Sequence, residues 1–360
     1  MDYKSYIEID GKRIGENYPT YFIADIAANH DGDIGRAKEL IHLSKEAGAD
    51  AAKFQHFSAD TIVSKTKFEE LNDQNKSHQS NWKKSVFEVY KDASVSLDWT
   101  MELVEECKKA NITFFTSPYS LELVDYIDDF VPAFKIGSGD ITWIEIIEHI
   151  ASKNKPFILA TGASSLDDVC RAVKAATSIN KDFALMQCNT NYTAERENLK
   201  YVNLNVLEVY KKMFPGMVMG LSDHTDGDIS VLGSVALGSR VIEKHFTDDT
   251  DRDGPDHKFS MDPSSWKLMV ERTRDLEMCL GDGLKKIEEN ELHSSVVQRR
   301  GLQLNKDISK GESIKEDDLF PLRPCTSESI PPYEKAKLVG SKANKELKAG
   351  SYISWKDLEG

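Results

Sequence analysis

The sequence predicts an α/β fold, a (β/α)8 TIM barrel over residues 1–281 followed by a small β-rich domain. Three observations carry this. Eight short β-rich runs alternate with longer amphipathic segments between Tyr21 and about Gly281. Most of these runs are near-continuously apolar, as expected of parallel strands covered on both faces. Beyond Leu280 the texture changes to short runs punctuated by glycine.

The runs are YFIADIAA (21–28), DAAKFQ (50–55), ITFFT (112–116), AFKIG (133–137), FILAT (157–161), FALMQC (183–188), MVMGLS (217–222) and RVIEKHF (240–246). Eight βα units in roughly 250 residues have the size and rhythm of a barrel. An open doubly wound sheet alternates in the same way, but no GxGxxG follows the first run. Between the first two runs, DIGRAKELIHLSKEAG sets Ile34, Ala37, Leu40 and Ile41 on one helical face, with an Asp before it and Gly48 after it as start and stop signals. The stretch 56–96 is long for a connection; polar and aromatic-bearing, it is expected over the barrel mouth. GDGLKKIEENELHSSVVQRR reads as a charged linker (282–298) with some helix, and 299–360 as a compact second domain. Within that domain KDISKGESIKEDDL and KELKAGSYISWKDL resemble each other, which suggests an internal duplication.

Composition narrows the function. With 360 residues, 40% hydrophobic and 29% charged, the chain is an ordinary globular protein. A formal charge of −14 argues against wholesale binding to nucleic acid or an anionic membrane. No apolar stretch reaches the roughly 18–20 residues that span a bilayer. The N-terminal stretch is polar, without the apolar core of a signal peptide. Five scattered cysteines with no CxxC point to reduced thiols in a cytoplasm.

In a barrel, catalytic groups gather where strands end. Here the strand ends carry Asp25, Lys53 and Gln55, Lys135 and Ser138, Thr161, Thr190 with Tyr192 beyond, Ser222 and His224, and Glu243, Lys244 and His245. His224 and His245 lie one βα unit apart, at equivalent ends of adjacent strands. Neighbouring strands run about 4.8 Å apart, so both imidazoles can reach one ion. Two neutral histidines with substrate and water oxygens suit Mn²⁺, or Mg²⁺ less ideally. Lys53 and Lys135 sit in apolar surroundings, where a charge needs a partner. With Ser138, Ser222 and Thr190 they fit a phosphate or carboxylate ligand; ion pairs with Asp25, Asp140 or Glu243 are the structural alternative, and a Schiff base the chemical one.

Taken together, IADIAANHDGD, DAAKFQ, FFTSPYS, FKIGSGD, LATGAS, LMQCNTNY, GLSDHT, VIEKHFT and GPDHKFSM resemble the sialic acid synthase family, and the C-terminal stretch resembles its antifreeze-like (SAF) domain. The resemblance implies condensation of phosphoenolpyruvate with an N-acetylated amino sugar, N-acetylmannosamine or a 2,4-diacetamido-trideoxyhexose, to a nine-carbon 2-keto acid. It implies that His224 and His245 hold a divalent cation, Mn²⁺ ahead of Mg²⁺ or Co²⁺. It also implies that Lys53, Lys135, Ser138 and Ser222 hold phosphoenolpyruvate, and that Tyr192 and Asp256 meet the sugar. Arg323 would reach the partner's site in a homodimer. Catalytic roles then fall to Asp25, Lys53, Lys135 and His245, with Gln55, Thr161 and Thr190 as further substrate contacts. Several positions depart from the family pattern: Asp25 replaces a glutamate, Ala160 a serine, CNTNYT the usual CTSIYP or CTNIYP, and RPCTSES a glycine-rich loop. A sugar-binding homologue without turnover, or a lysine-imine aldolase, are the alternatives.

Overall fold

The first and last predicted runs pair side by side, and that pairing closes the sheet. The computed structural model describes residues 3–72 and 84–359, in two compact units, Met1–Gly281 and Asp282–Gly360. A short hairpin, β1 (Tyr6–Ile9) and β2 (Lys12–Gly15), precedes the barrel strands. These are β3 (Tyr21–Asp25), β4 (Ala51–His56), β5 (Thr113–Pro118), β6 (Phe134–Ile136), β7 (Phe157–Ala160), β8 (Phe183–Cys188), β9 (Val218–Asp223) and β10 (Val241–His245). Their order is β5-β4-β3-β10-β9-β8-β7-β6, with β10 and β3 parallel and in register from Val241↔Tyr21 to His245↔Asp25. β5 and β6, at the two ends of that order, lie against each other and complete the ring. All eight predicted strands form, within a residue or so at most ends.

Side chains alternate across a strand, and the two faces have different chemistry. Outward-facing Phe22, Ala24, Ala52, Phe54, Leu159 and Ile242 pack with the surrounding helices into the larger core. Inward-facing Tyr21, Ile23, Ala51, Ile158, Ala184, Met186, Val218 and Val241 fill the barrel. The same inward columns, one pleat further on, present Asp25, Lys53, Lys135, Ser222, Glu243 and His245, all buried. The helix over Ile34–Glu46 forms as its pattern predicts. Asp33 accepts from the Arg36 amide at its start, Ala37, Leu40 and Ile41 are buried, and Gly48 takes φ +96° just beyond its end.

The hairpin is a feature the sequence reading passed over as a polar terminus. Asp10 and Gly11 both take positive φ (50° and 76°), which two-residue type I′ turns require. Ile7, Ile9 and Ile14 join Tyr21, Ile23, Ala51 and Val241 in the barrel interior. The hairpin therefore stoppers the N-terminal end of the barrel.

The 56–96 insertion contributes helices at Ala59–Ile62, Lys65–Asn72 and Val86–Ala93; residues 73–83 lie outside the described residues. Gly32, in the loop after β3, faces the Asp92 carbonyl.

In the second unit, β11 (Gly301–Leu304) pairs antiparallel with β12 (Leu319–Leu322) around a core of Leu302, Ile308, Ile314, Leu338, Leu347 and Ile353. The suspected duplication is visible in its hydrogen bonds. Ile308 and Leu347 exchange backbone hydrogen bonds with each other. The Asn305 amide donates to the Asp318 carbonyl as the Asn344 amide does to that of Asp357, and Gly311 and Gly350 both turn with φ near +80°. Among the described residues no helix is long and apolar enough to cross a membrane.

Candidate active site

The C-terminal ends of the barrel strands enclose a cavity of about 380 Å³. Its deep part is built by the strands themselves. Lys53 on β4 and Lys135 on β6 point inward with side chains 2% and 3% exposed, depths at which an unpaired ammonium is not tolerated. Lys53 finds its nearer partner on the adjacent strand β3, and both lysines reach Glu243 on β10. Lys53 Nζ is 2.6 Å from Asp25 Oδ2 and 3.8 Å from Glu243 Oε2, and Lys135 Nζ is 3.0 Å from Glu243 Oε1. Ser222 donates to the same Glu243 oxygen at 3.0 Å. Asp25 also accepts from Gln55 Nε2 and the Ala27 amide, both at 3.1 Å.

These contacts set the charge states. Burial works against ionised Glu243, but the Lys135 and Lys53 ammoniums outweigh it and hold the carboxyl down at about 2. Burial also works against the Lys53 ammonium, yet the charges of Asp25 and Glu243 raise its pKa above the usual lysine value. Lys53 is therefore a firmly protonated cation.

Further round the same wall, at the ends of β9 and β10, His224 and His245 lie with ring centroids 5.3 Å apart, and His245 is in register with Asp25, the partner of Lys53. Burial, reinforced for His224 by its neighbour His245 and for His245 by Lys53, lowers their pKa values to about 4 and about 3. Both rings are thus neutral at physiological pH, the form that ligates metal. His224 Nδ1 is 2.9 Å from the Asn189 carbonyl, so that carbonyl accepts from an Nδ1–H and leaves Nε2 as the lone-pair nitrogen. His245 Nδ1 is buried with no hydrogen-bond partner, 3.8 Å from Asp256 Oδ2, while its Nε2 lies 3.7 Å from Asp25. An orphaned imidazole nitrogen near the Asp256 carboxyl, on a ring whose other nitrogen lies near Asp25, fits a cation. Among the described residues, though, no three His, Cys, Asp or Glu side chains converge into a closed metal cage. The donor set suits an ion completed by substrate and water, not a structural metal.

The remaining predicted residues divide. Gln55, Ser138, Tyr192 and Asp256 line the cavity. Burial and the Asp25 charge lift the Asp256 carboxyl to about 7. Ser138 Oγ accepts from the Gly162 amide at 2.9 Å. Thr161 is buried just behind, its hydroxyl bonded to the Met186 carbonyl and the Tyr210 hydroxyl. Thr190 is half-buried with its methyl against Gly162. Arg323 belongs to the second unit and is exposed.

The insertion expected over the barrel mouth does reach the cavity, with side chains the sequence did not single out. Phe57, Ile62, Val89, Tyr90 and Ala93 from the insertion, with Tyr119 and Pro255, line the mouth. Tyr119 and Tyr90 both pack on Phe57, at centroid distances of 5.9 and 5.6 Å. Asp140 joins them, its pKa raised to about 6 by burial against the pull of Lys135.

Comparison with known proteins agrees with this architecture. Residues 40–285 match the NeuB family, and residues 299–359 match the SAF domain. The chain is 36% identical to the N,N'-diacetyllegionaminic acid synthase of Legionella pneumophila, covering 96% of both chains. It is 32% identical to the pseudaminic acid synthase of Helicobacter pylori, over 95% of this chain and 98% of that one. A crystal structure of N-acetylneuraminic acid (sialic acid) synthetase from Leptospira borgpetersenii, in complex with citrate, superposes with a TM-score of 0.71 at 26% identity, over 81% of this chain and 95% of that one. An eight-stranded barrel with charged groups at its strand ends, followed by a duplicated β-rich module, is thus matched part by part, and the chain is an enzyme of the NeuB family with a SAF domain at residues 299–359.

Proposed function

We propose that this enzyme condenses phosphoenolpyruvate with an N-acetylated amino sugar to form a nine-carbon 2-keto acid, releasing phosphate by C–O cleavage. The observation that carries this is a single cavity lined by both buried lysines, Lys53 and Lys135, and by two neutral histidines, His224 and His245. Asp25 and Glu243 hold the two ammoniums, and an anionic donor would add its charge to that cluster. Lys53, Lys135, Ser138 and Ser222 would grip its phosphate and carboxylate and stabilise the charge that grows as phosphate leaves. His224 and His245 would hold a divalent cation, Mn²⁺ ahead of Mg²⁺ or Co²⁺, and that ion supplies Lewis-acid polarisation of the acceptor's aldehyde. Asp256, with its pKa near neutrality, is suited to pass a proton at the acceptor oxygen, and Asp25 to orient water against the donor carbon C2. The protonated state of Lys53 speaks against imine chemistry, which needs a neutral amine.

For the acceptor, the apolar mouth favours a 2,4-diacetamido-trideoxyhexose over N-acetylmannosamine. A methyl at the sugar's end suits Phe57, Ile62 and Val89, whereas a buried hydroxymethyl would lose its water. We further propose a cytoplasmic homodimer in which Arg323 serves the partner's site, and a linker over 282–298. The decisive experiment incubates the protein with phosphoenolpyruvate, Mn²⁺ and each acceptor while following phosphate release. Release that depends on acceptor and metal supports the reading; none with any nine-carbon precursor sugar defeats it.

A further inference from the structure

Of the charged residues that end β10, Lys244 alone turns away from the cavity. Glu243 and His245 point inward, so strand alternation sends Lys244 to the outer face, where its side chain is 0% exposed. There it meets Asp223, its register partner on β9, at 2.6 Å, and the Asp223 side chain is itself only 2% exposed. The ammonium also donates to the Thr225 carbonyl. Asp223 is fully engaged. It accepts from the Thr225 amide at 3.2 Å, the Thr225 hydroxyl at 2.9 Å and the Ser230 hydroxyl at 2.6 Å. Ser230 lies in the first turn of the helix Ile229–Ala236. Neither Lys244 nor Asp223 lines the cavity.

Buried ion pairs are poor sources of stability, because desolvation consumes most of the attraction. What this one does have is position. Asp223 and Thr225 flank His224 in the chain, and Lys244 immediately precedes His245, so one set of hydrogen bonds ties together the backbone on which both imidazoles are mounted.

We propose that Lys244 and Asp223 are positioning residues: a clamp behind the barrel wall that fixes His224 and His245 relative to one another and so sets their affinity for a divalent cation. This rests on the reading of the histidine pair as the cation site. Metal–ligand distances tolerate only about 0.2 Å of error, and a backbone loosened by more than that loses a ligand. Groups behind the direct ligands commonly change metal affinity about 10–100-fold when altered.

The test is direct Mn²⁺ binding to the full chain, read by electron paramagnetic resonance of the free ion, with no turnover required. Lys244→Met alone strands a buried carboxylate and risks unfolding. The double variant Asp223→Asn with Lys244→Met removes both charges and keeps the hydroxyl partners. It is expected to fold by circular dichroism, to bind Mn²⁺ about tenfold more weakly, and to bind phosphoenolpyruvate without metal within about twofold of the parent. Wild-type Mn²⁺ affinity in the folded double variant overturns the clamp. Should that variant not fold, Thr225→Val and Ser230→Ala loosen the network more gently. A severalfold loss of Mn²⁺ affinity in them supports the clamp, and unchanged affinity in both overturns it. A parent protein that binds no Mn²⁺ would instead defeat the cation reading itself.

Discussion

Lys135 Nζ and Glu243 Oε1 meet at 3.0 Å inside the barrel, with Ser222 donating to the same oxygen. Charge balance thus rests on the atoms that the proposed function assigns to the donor, and mutagenesis can separate the two roles. Lys135→Met leaves Glu243 buried with only the more distant Lys53, and is expected to destabilise the barrel by about 3–5 kcal/mol. Adding Glu243→Gln removes the stranded charge and should recover most of that loss in urea unfolding. Phosphate release should stay abolished in both. A double variant that regained turnover would remove Lys135 from the donor site.

Gly162 is closely packed beside Ser138, its amide donating to the Ser138 hydroxyl. A Cβ there would fall 2.5 Å from Thr190 Cγ2 and 3.0 Å from both Cys188 Sγ and Ser138 Oγ. Gly162→Ala is expected to push Ser138 aside and raise the KM for phosphoenolpyruvate about tenfold, equivalent to about 1.4 kcal/mol. The midpoint of thermal unfolding should fall by only a few degrees. An unchanged KM would separate Ser138 from the donor.

The apolar mouth makes a prediction about acceptors. Ile62→Ser and Val89→Ser should lower kcat/KM for the diacetamido-trideoxyhexose about tenfold and narrow its advantage over N-acetylmannosamine, since one apolar contact is worth about 1–3 kcal/mol in discrimination. Initial rates with the two sugars measure this. A parent enzyme that prefers N-acetylmannosamine would overturn the assignment of the wall while leaving the reaction intact.

Asp140 supplies a pH dependence. Its carboxyl is raised by burial to about 6 in the folded protein, above the usual aspartate value. Folding therefore takes up a proton between about pH 4 and pH 6, and this group's contribution to stability falls as pH rises through that window. Above pH 6 the folded state carries the full penalty of a buried charge. Asp140→Asn should match the parent below pH 4 and exceed it in unfolding midpoint above pH 6. Parallel midpoints from pH 4 to pH 8 would contradict this.

Much of this was legible in the sequence because strand alternation and strand ends are local properties. The apolar runs located the barrel strands, and polar residues at their C-terminal ends located Lys53, Lys135, His224 and His245 in one cavity. The IEIDGKRI hairpin carried its own signal, an Asp-Gly between alternating isoleucines. It was overlooked because its strands are short and surrounded by polar residues. The length of the insertion showed that it covers the mouth, but not that Phe57, Ile62 and Val89 do the lining, since that depends on how it folds back over the barrel. Thr161, expected as a substrate contact, has its hydroxyl bonded to the Met186 carbonyl and the Tyr210 hydroxyl. Whether a strand-end hydroxyl turns inward or to a neighbouring backbone is a rotamer choice that no periodicity records.

Among the described residues, Ile7, Ile9 and Ile14 plug one end of the barrel and leave the doorway at the other. The lysines belong to the strands, deep in that blind chamber, while Phe57, Ile62 and Val89 stand at its threshold. Traffic through that doorway has to queue. A molecule seated on the lysines must come in before one that rests against the threshold, and what remains on the lysines can go out only after the doorway has cleared.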